Sequence, residues 1–423
     1  MIKNYPNLGE RVFEERLGNG LLVRVVSKPG FSKCHAFLAV DYGSMDTKFK
    51  RNGVCYSTPR GVAHYLEHKM FDMPDINVMQ LFSQYGGNPN AFTSYDITAY
   101  YVECTECFRE NFELLLRYVS TPYFTEESVE KERGIISQEI RMYEDNPDSR
   151  LYENLFAAMY REHPIRNSIA GTVESISEIT AETLYDCYHG FYTPENMMLC
   201  VVGDVDAEMI FKTAESILPK ASCVQLPERD YGAPELMSPA EQKITAVMEV
   251  ARPMFSVGFK TEPARFGPDA MVQEMVGELA AELLVGESSG LYTELYEKGL
   301  IDPDFSCGYE GLKGMSMLNA SGECDDPDAV CDAILRETER ITREGADEAL
   351  FMRLKRSALG RRMRDLDSFD SICYRMCAYH FEGVDYYSFP ELFRGINSEQ
   401  AVQFLKRTVT PERMAISLVI PKG

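Results

Sequence analysis

Apolar positions follow two rhythms along this chain. Short runs rich in β-branched and aromatic residues, Gly20-Leu-Leu-Val-Arg-Val-Val26, His35-Ala-Phe-Leu-Ala-Val40 and Thr98-Ala-Tyr-Tyr-Val102, predict strands. Longer amphipathic stretches predict helices over 60–71, 78–85, 109–118 and 126–143, with Thr125 as the cap of the last. Strands and helices mix without strict alternation. An α+β fold follows, in which an antiparallel sheet carries helices packed on one face.

The pattern also repeats. Ile179-Thr-Ala-Glu182, a helix, the turn Thr193-Pro-Glu195 and the run Met198-Leu-Cys-Val-Val202 close the first half. Ile396-Asn-Ser-Glu399, a helix, the turn Thr410-Pro-Glu412 and the run Ala415-Ile-Ser-Leu-Val-Ile420 close the second. Thr410 follows Thr193, and Glu399 follows Glu182, by the same 217 positions. Duplication of one domain explains the shared order and spacing. The expected division is a metal-binding domain over 1–217, a linker over 218–242 and a second domain without a metal site over 243–423. Pro219, Pro227, Gly232, Pro234 and Pro239 punctuate that linker.

Composition narrows the function classes. At 423 residues, 45% apolar and 26% charged, the chain is an ordinary globular protein long enough for two cores. A net charge of −23 argues against nucleic-acid binding through phosphates and suits a solvated acidic surface. There is no run of 18 apolar residues, so no membrane span is expected. The start, Met1-Ile-Lys-Asn-Tyr-Pro6, lacks the order of a signal peptide. The 12 cysteines, Cys223 among them, are scattered singly, which suits free thiols in a reducing cytoplasm. Cys104-Thr-Glu-Cys107 is the one CxxC pair. A redox role would rest on that pair alone, and a structural role is the expectation.

The chemistry concentrates in Gly61-Val-Ala-His64-Tyr-Leu-Glu67-His68-Lys-Met-Phe71. On a helix His64 and His68 project from one face, four residues apart, as a metal clamp requires. Glu67 lies at the edge of that face, placed to reach a water on the metal. The order H-x-x-E-H is the inverted zinc-peptidase signature. Two histidines and one carboxylate would leave a fourth position open, as in catalytic zinc sites. Glu139 is the candidate third ligand, lying amid Ile135, Ile136, Ile140 and Met142. An ion pair with Arg133 or Arg141 is the alternative. Glu132, two helical turns earlier, is a candidate catalytic carboxylate in an orienting role.

These motifs resemble the pitrilysin, insulinase and mitochondrial processing peptidase family over nearly the whole chain. The resemblance implies two homologous domains of the LuxS/MPP-like metallohydrolase fold and one Zn2+ on His64, His68 and Glu139. It implies a half-size form that works as a homodimer or as a heterodimer enclosing a chamber. Within the family the chain resembles Bacillus-type cytoplasmic members paired with a zinc-less paralogue. The segment Asn90-Ala91-Phe92-Thr93-Ser94 is similar to the family's substrate-binding edge strand, so Asn90 and Ala91 are expected to contact an extended peptide and Phe92 to line a pocket. Core packing is the alternative for Phe92. The chain departs from the family pattern at Tyr296, where an arginine is expected and no tyrosine follows at the matching spacing. That departure implies a partner subunit supplying the missing groups. The expected activity is zinc-dependent hydrolysis of short or unfolded peptides. A non-catalytic assembly subunit is the competing reading.

Overall fold

The computed structural model describes residues 1–74, 77–219, 225–263 and 266–422. Part of the expected linker, including Cys223, lies outside them. The first half opens with strands β1 (Ile2–Tyr5), β2 (Glu10–Arg16), β3 (Leu22–Ser27), β4 (Cys34–Val40), β5 (Lys48–Arg51) and β6 (Val54–Ser57). Helices α1 (Val62–Lys69) and α2 (Val78–Gln84) lead to strands β7 (Asn88–Thr93) and β8 (Thr98–Cys104). Helices α3 (Phe108–Val119), α4 (Glu126–Glu144), α5 (Pro147–Met159), α6 (Val173–Ser177) and α7 (Ala181–Phe191) follow, then β9 (Met197–Gly203) and α8 (Ala207–Ile217).

The second half repeats this plan. It runs β10 (Glu228–Arg229), β11 (Lys243–Met248), β12 (Met254–Lys260), α9 (Pro268–Val285), α10 (Gly290–Glu297), β13 (Ser306–Leu312) and β14 (Met315–Glu323). It ends with α11 (Pro327–Glu344), α12 (Glu348–Arg364), α13 (Phe369–Phe381), α14 (Phe389–Gly395), α15 (Ser398–Thr408) and β15 (Met414–Pro421). The repeated pair α7–β9 and α15–β15 occupies the segments that the sequence repeat matches.

Two large sheets result, ordered β1-β2-β3-β9-β4-β8-β7 and β11-β15-β12-β14-β13. Each is antiparallel apart from one parallel pair, β3 with β9 and β11 with β15. The parallel pairs arise because the last strand of each half inserts into the middle of its sheet, a long-range pairing that no local turn announces. Among the described residues, β7 and β13 are free edges, each hydrogen-bonded on one side only.

Helices cover both faces of the first sheet, where one was expected. Every residue of β4 and of β9 is buried, so neither strand has a polar face to give to water. One face packs Val23, Leu38, Tyr100 and Leu199 against the first half's own helices. On the other, Phe37, Ala39, Ala99 and Cys200 join the core of the second half. There Cys373 of α13 lies under β9, its thiol 3.6 Å from the Cys200 carbonyl. The exchange is mutual, because Leu155 and Met159 of α5 pack with Met315, Met317 and Ala415 of the second sheet. Each half thus lends one helix to the other.

The described part of the 218–242 segment is fixed rather than loose. β10 pairs with β5. One oxygen of Glu235 accepts the backbone N–H groups of Arg161, Glu162 and His163, and the other accepts Lys260 Nζ at 3.1 Å. Among the described residues, no helix is long and apolar enough to cross a membrane.

Candidate metal centre

The helix that carries both histidines, α1, begins where the backbone allows it. Gly61 caps it at φ 88°, in the left-handed region that glycine enters freely. A Cβ there would lie 2.3 Å from the Ala170 carbonyl oxygen, and one on Gly171 would lie 2.5 Å from that of Arg60. Two chain segments therefore cross at backbone contact just before the histidines. Gly61→Ala is expected to cost at least about 1–3 kcal/mol from the unfavourable φ and the collision. A lower denaturant midpoint checks this, and an unchanged midpoint contradicts it.

α1 is buried almost throughout, even at Lys69, whose Nζ bonds Asp72 and the Ser128 carbonyl. The Tyr65 hydroxyl donates to the Val129 carbonyl and so pins α1 to α4. α4 starts at Thr125 in a reciprocal capping box with Ser128. This anchoring brings the third carboxylate to the imidazoles. His68 Nε2 lies 3.3 Å from Glu139 Oε2, and His64 Nε2 lies 3.6 Å from Glu139 Oε1. Arg133, by contrast, bonds Glu130 and the Ile179 carbonyl.

Donor atoms of His64, His68 and Glu139 all lie within 4.8 Å of one another. A tetrahedral zinc with ligands near 2.1 Å needs donors roughly 3.4 Å apart, so the set fits that ion. Among the described residues no other three His, Cys, Asp or Glu side chains converge in this way.

The remaining carboxylates take distinct positions. Glu132 Oε1 sits 3.0 Å from His68 Nδ1, which leaves Nε2 aimed at the shared position. Glu132 therefore orients a candidate ligand and is not one itself. Glu132→Ala is expected to weaken metal affinity roughly 10–100-fold, as loss of a ligand's hydrogen-bond partner typically does. Competition with a zinc chelator measures this, and unchanged affinity would contradict the assignment. Glu67, 8% exposed, points one oxygen at the Thr93 hydroxyl, 3.1 Å away.

Titration behaviour follows from these contacts. Burial raises the pKa of Glu67 above the usual carboxylate range, although the His64 and His68 charges oppose it. Hydrogen bonds from His64 and His68 hold Glu139 far below that range. For His68 burial is the largest influence and acts downward, yet the hydrogen bonds to Glu132 and Glu139 win and push it up to about 10. A metal ion at Nε2 would compete with the proton that those carboxylates favour there.

A cavity of about 460 Å³ opens over these groups. Ala91, Phe92 and Thr93 of the free edge β7 form part of its wall. Phe92 also packs near Phe37, Tyr101 and Tyr374. Asn90 is exposed and is not part of the wall; its side-chain oxygen accepts the Ala91 N–H. Sequence reasoning missed two residues here. Thr93 lies in the edge-strand segment, where its position in the sequence alone assigns it no role. Tyr143, one helical turn after Glu139, donates its hydroxyl to Glu139 Oε1 at 2.9 Å, and that spacing was the available signal.

The wall runs from His64 to Ala170 and, among the described residues, contains none of the second half. Tyr296, 51% exposed on α10, stacks on Tyr292 away from it. Between α9 and α12 of the second half, Arg361 is paired with Glu282. Cys104 and Cys107 are free thiols outside the cavity, the first buried opposite Cys34 and the second exposed.

Known proteins share this architecture. The family pattern for Insulinase (Peptidase family M16) matches residues 22–173, and that for the Peptidase M16 inactive domain matches 178–358. The uncharacterized zinc protease YmfH of Bacillus subtilis is 38% identical over all of both chains. The crystal structure of an M16-like peptidase from Alicyclobacillus acidocaldarius superposes with a TM-score of 0.93 at 33% identity, over 98% of this chain and 99% of that one. A protease from Helicobacter pylori shares the fold with a TM-score of 0.82 at 20% identity, over 97% of this chain and 100% of that one. With both family patterns matched in order and a full-length relative at this identity, the chain belongs to peptidase family M16, in its half-size, two-domain form.

Proposed function

We propose that this chain is a zinc metalloendopeptidase acting on short or unfolded peptides. The observation that carries the reading is the convergence of His64, His68 and Glu139, with Glu67 beside them, under a free strand edge. Zinc, when bound, would polarise the scissile carbonyl and acidify a water. Glu67, buried and not itself a ligand, would take up the water's proton and deliver it to the departing amine. Ala91 and Phe92 would bind substrate by pairing an extended peptide with β7, which restricts substrates to unfolded chain. Asn90, exposed on the same strand, would contact peptide only outside the cavity.

Among the described residues the wall offers no Lys, Arg, Asn or Gln side chain to the developing oxyanion, and Tyr296 stands away from it. This supports a partner, either a second copy or a zinc-less paralogue, that closes the chamber and supplies those groups. Names of relatives such as the Bacillus zinc protease support zinc as the metal. The same open wall favours a second reading, a non-catalytic subunit of a peptidase-like heterodimer.

A panel of quenched fluorescent peptides separates the two readings. Cleavage abolished by a chelator and restored by zinc, with or without an added partner, is the expected result. Cleavage indifferent to chelation, or absent with every partner, would contradict the peptidase reading.

A further inference from the structure

We propose that Thr93 is a positioning residue for the general base, its hydroxyl fixing one carboxylate oxygen of Glu67 so that the other is free to accept the water's proton. This inference rests on the peptidase reading above. The Thr93 hydroxyl donates to Glu67 Oε2 at 3.1 Å, and among the described residues it is the only hydrogen-bond partner of that carboxylate. None of the nearby phenols hydrogen-bonds that carboxylate: Tyr100 and Tyr192 pair with each other at 2.7 Å, and the buried Tyr118 hydroxyl makes no hydrogen bond among the described residues. A buried carboxylate held at a single oxygen keeps one orientation, and the two oxygens become chemically distinct. Oε2 is the anchored atom and Oε1 the reactive one.

Strand formation alone does not demand a hydroxyl here, since valine and isoleucine suit a strand as well as threonine. Thr93 is also the last residue of β7, paired with Thr98 of β8, and it lines the cavity. The strand whose free edge would take the peptide is therefore the strand that holds the base. One rigid element sets both the register of the substrate and the direction of the proton acceptor.

The test compares Thr93→Val, which keeps the shape and removes the hydroxyl, with Thr93→Ser, which keeps the hydroxyl. For Thr93→Val, kcat is expected to fall about 10–100-fold, as for a misaligned reacting group, with KM and zinc content unchanged. Thr93→Ser should recover most of the loss. In a Glu67→Gln background Thr93→Val should add little, because its effect runs through that carboxylate. Crystals of zinc-loaded Thr93→Val should show the Glu67 carboxylate rotated while the three donor side chains stay in place. Full kcat in Thr93→Val, an equal loss in the Glu67→Gln background, or an unmoved Glu67 would each overturn the inference. If the unaltered protein cleaves no peptide, the peptidase reading fails, and the Glu67 orientation in those crystals still decides the role of Thr93.

Discussion

Glu67→Gln is expected to lower peptide turnover by about 10²–10⁴-fold, the contribution typical of a positioned general base. Zinc content should not change. The substitution is close to isosteric, and Glu67 is not among the three converging donors. It lies buried between them and Thr93, so glutamine can keep the packing and the hydrogen bond to the hydroxyl. What it loses is the ability to carry a proton. Parallel measurement of kcat and of metal per chain checks both halves of the expectation. Turnover that survives in a zinc-loaded variant would remove Glu67 from the chemistry and leave the non-catalytic reading standing.

Glu139→Gln is expected to have the larger effect, because it removes a candidate ligand. Zinc affinity should drop by more than the roughly 10–100-fold expected for Glu132→Ala, which leaves all three donors in place. Turnover should fall with it and be only partly restored by excess zinc. Two imidazoles on one helix turn remain a weak clamp, and an amide oxygen without charge replaces the carboxylate that both imidazoles face. Titration with a competing chelator reads the affinity. A variant that binds zinc as tightly as the unaltered chain would show that Glu139 is not a ligand.

Much of the local structure was legible because its causes are local. Thr125 marks the start of α4 through a capping box that any helix beginning there would use. The helix expected from residue 60 starts at Val62 because Gly61 at φ 88° cannot belong to it. The apolar runs at 20–26, 35–40 and 98–102 each fall on a strand for the packing reason that predicted them. Contacts distant in sequence were not legible. Nothing near β3 announces that β9, some 170 residues later, will lie beside it in parallel. Nor does α13 advertise that it covers the first sheet. Its apolar side reads as an ordinary amphipathic face, and only the double-sided burial of β4 and β9 shows that something must cover them.

At the candidate site, helical spacing placed His64 and His68 on one face. It also gave Glu132 and Glu139 a common face of α4. The meeting of α1 with α4 depends on Tyr65, Lys69 and the Gly61–Gly171 crossing, none of which carries a motif. Thr93 and Tyr143 escaped notice because their importance lies in which carboxylate each one touches. Asn90 is exposed and falls outside the wall that Ala91, Phe92 and Thr93 form, a difference that depends on how the cavity meets β7 and that nothing in the segment announces.

In the proposed peptidase one zinc ion sits between the imidazoles of His64 and His68 and the carboxylate of Glu139. A crystal structure of the zinc-loaded protein, with anomalous diffraction collected on both sides of the zinc absorption edge, tests it most directly. The expected result is one strong peak per chain about 2.0–2.2 Å from His64 Nε2, His68 Nε2 and a Glu139 oxygen. Glu67 should stand beside the remaining coordination position. A peak elsewhere, or zinc-loaded crystals in which Glu139 has turned away from the ion, would contradict it.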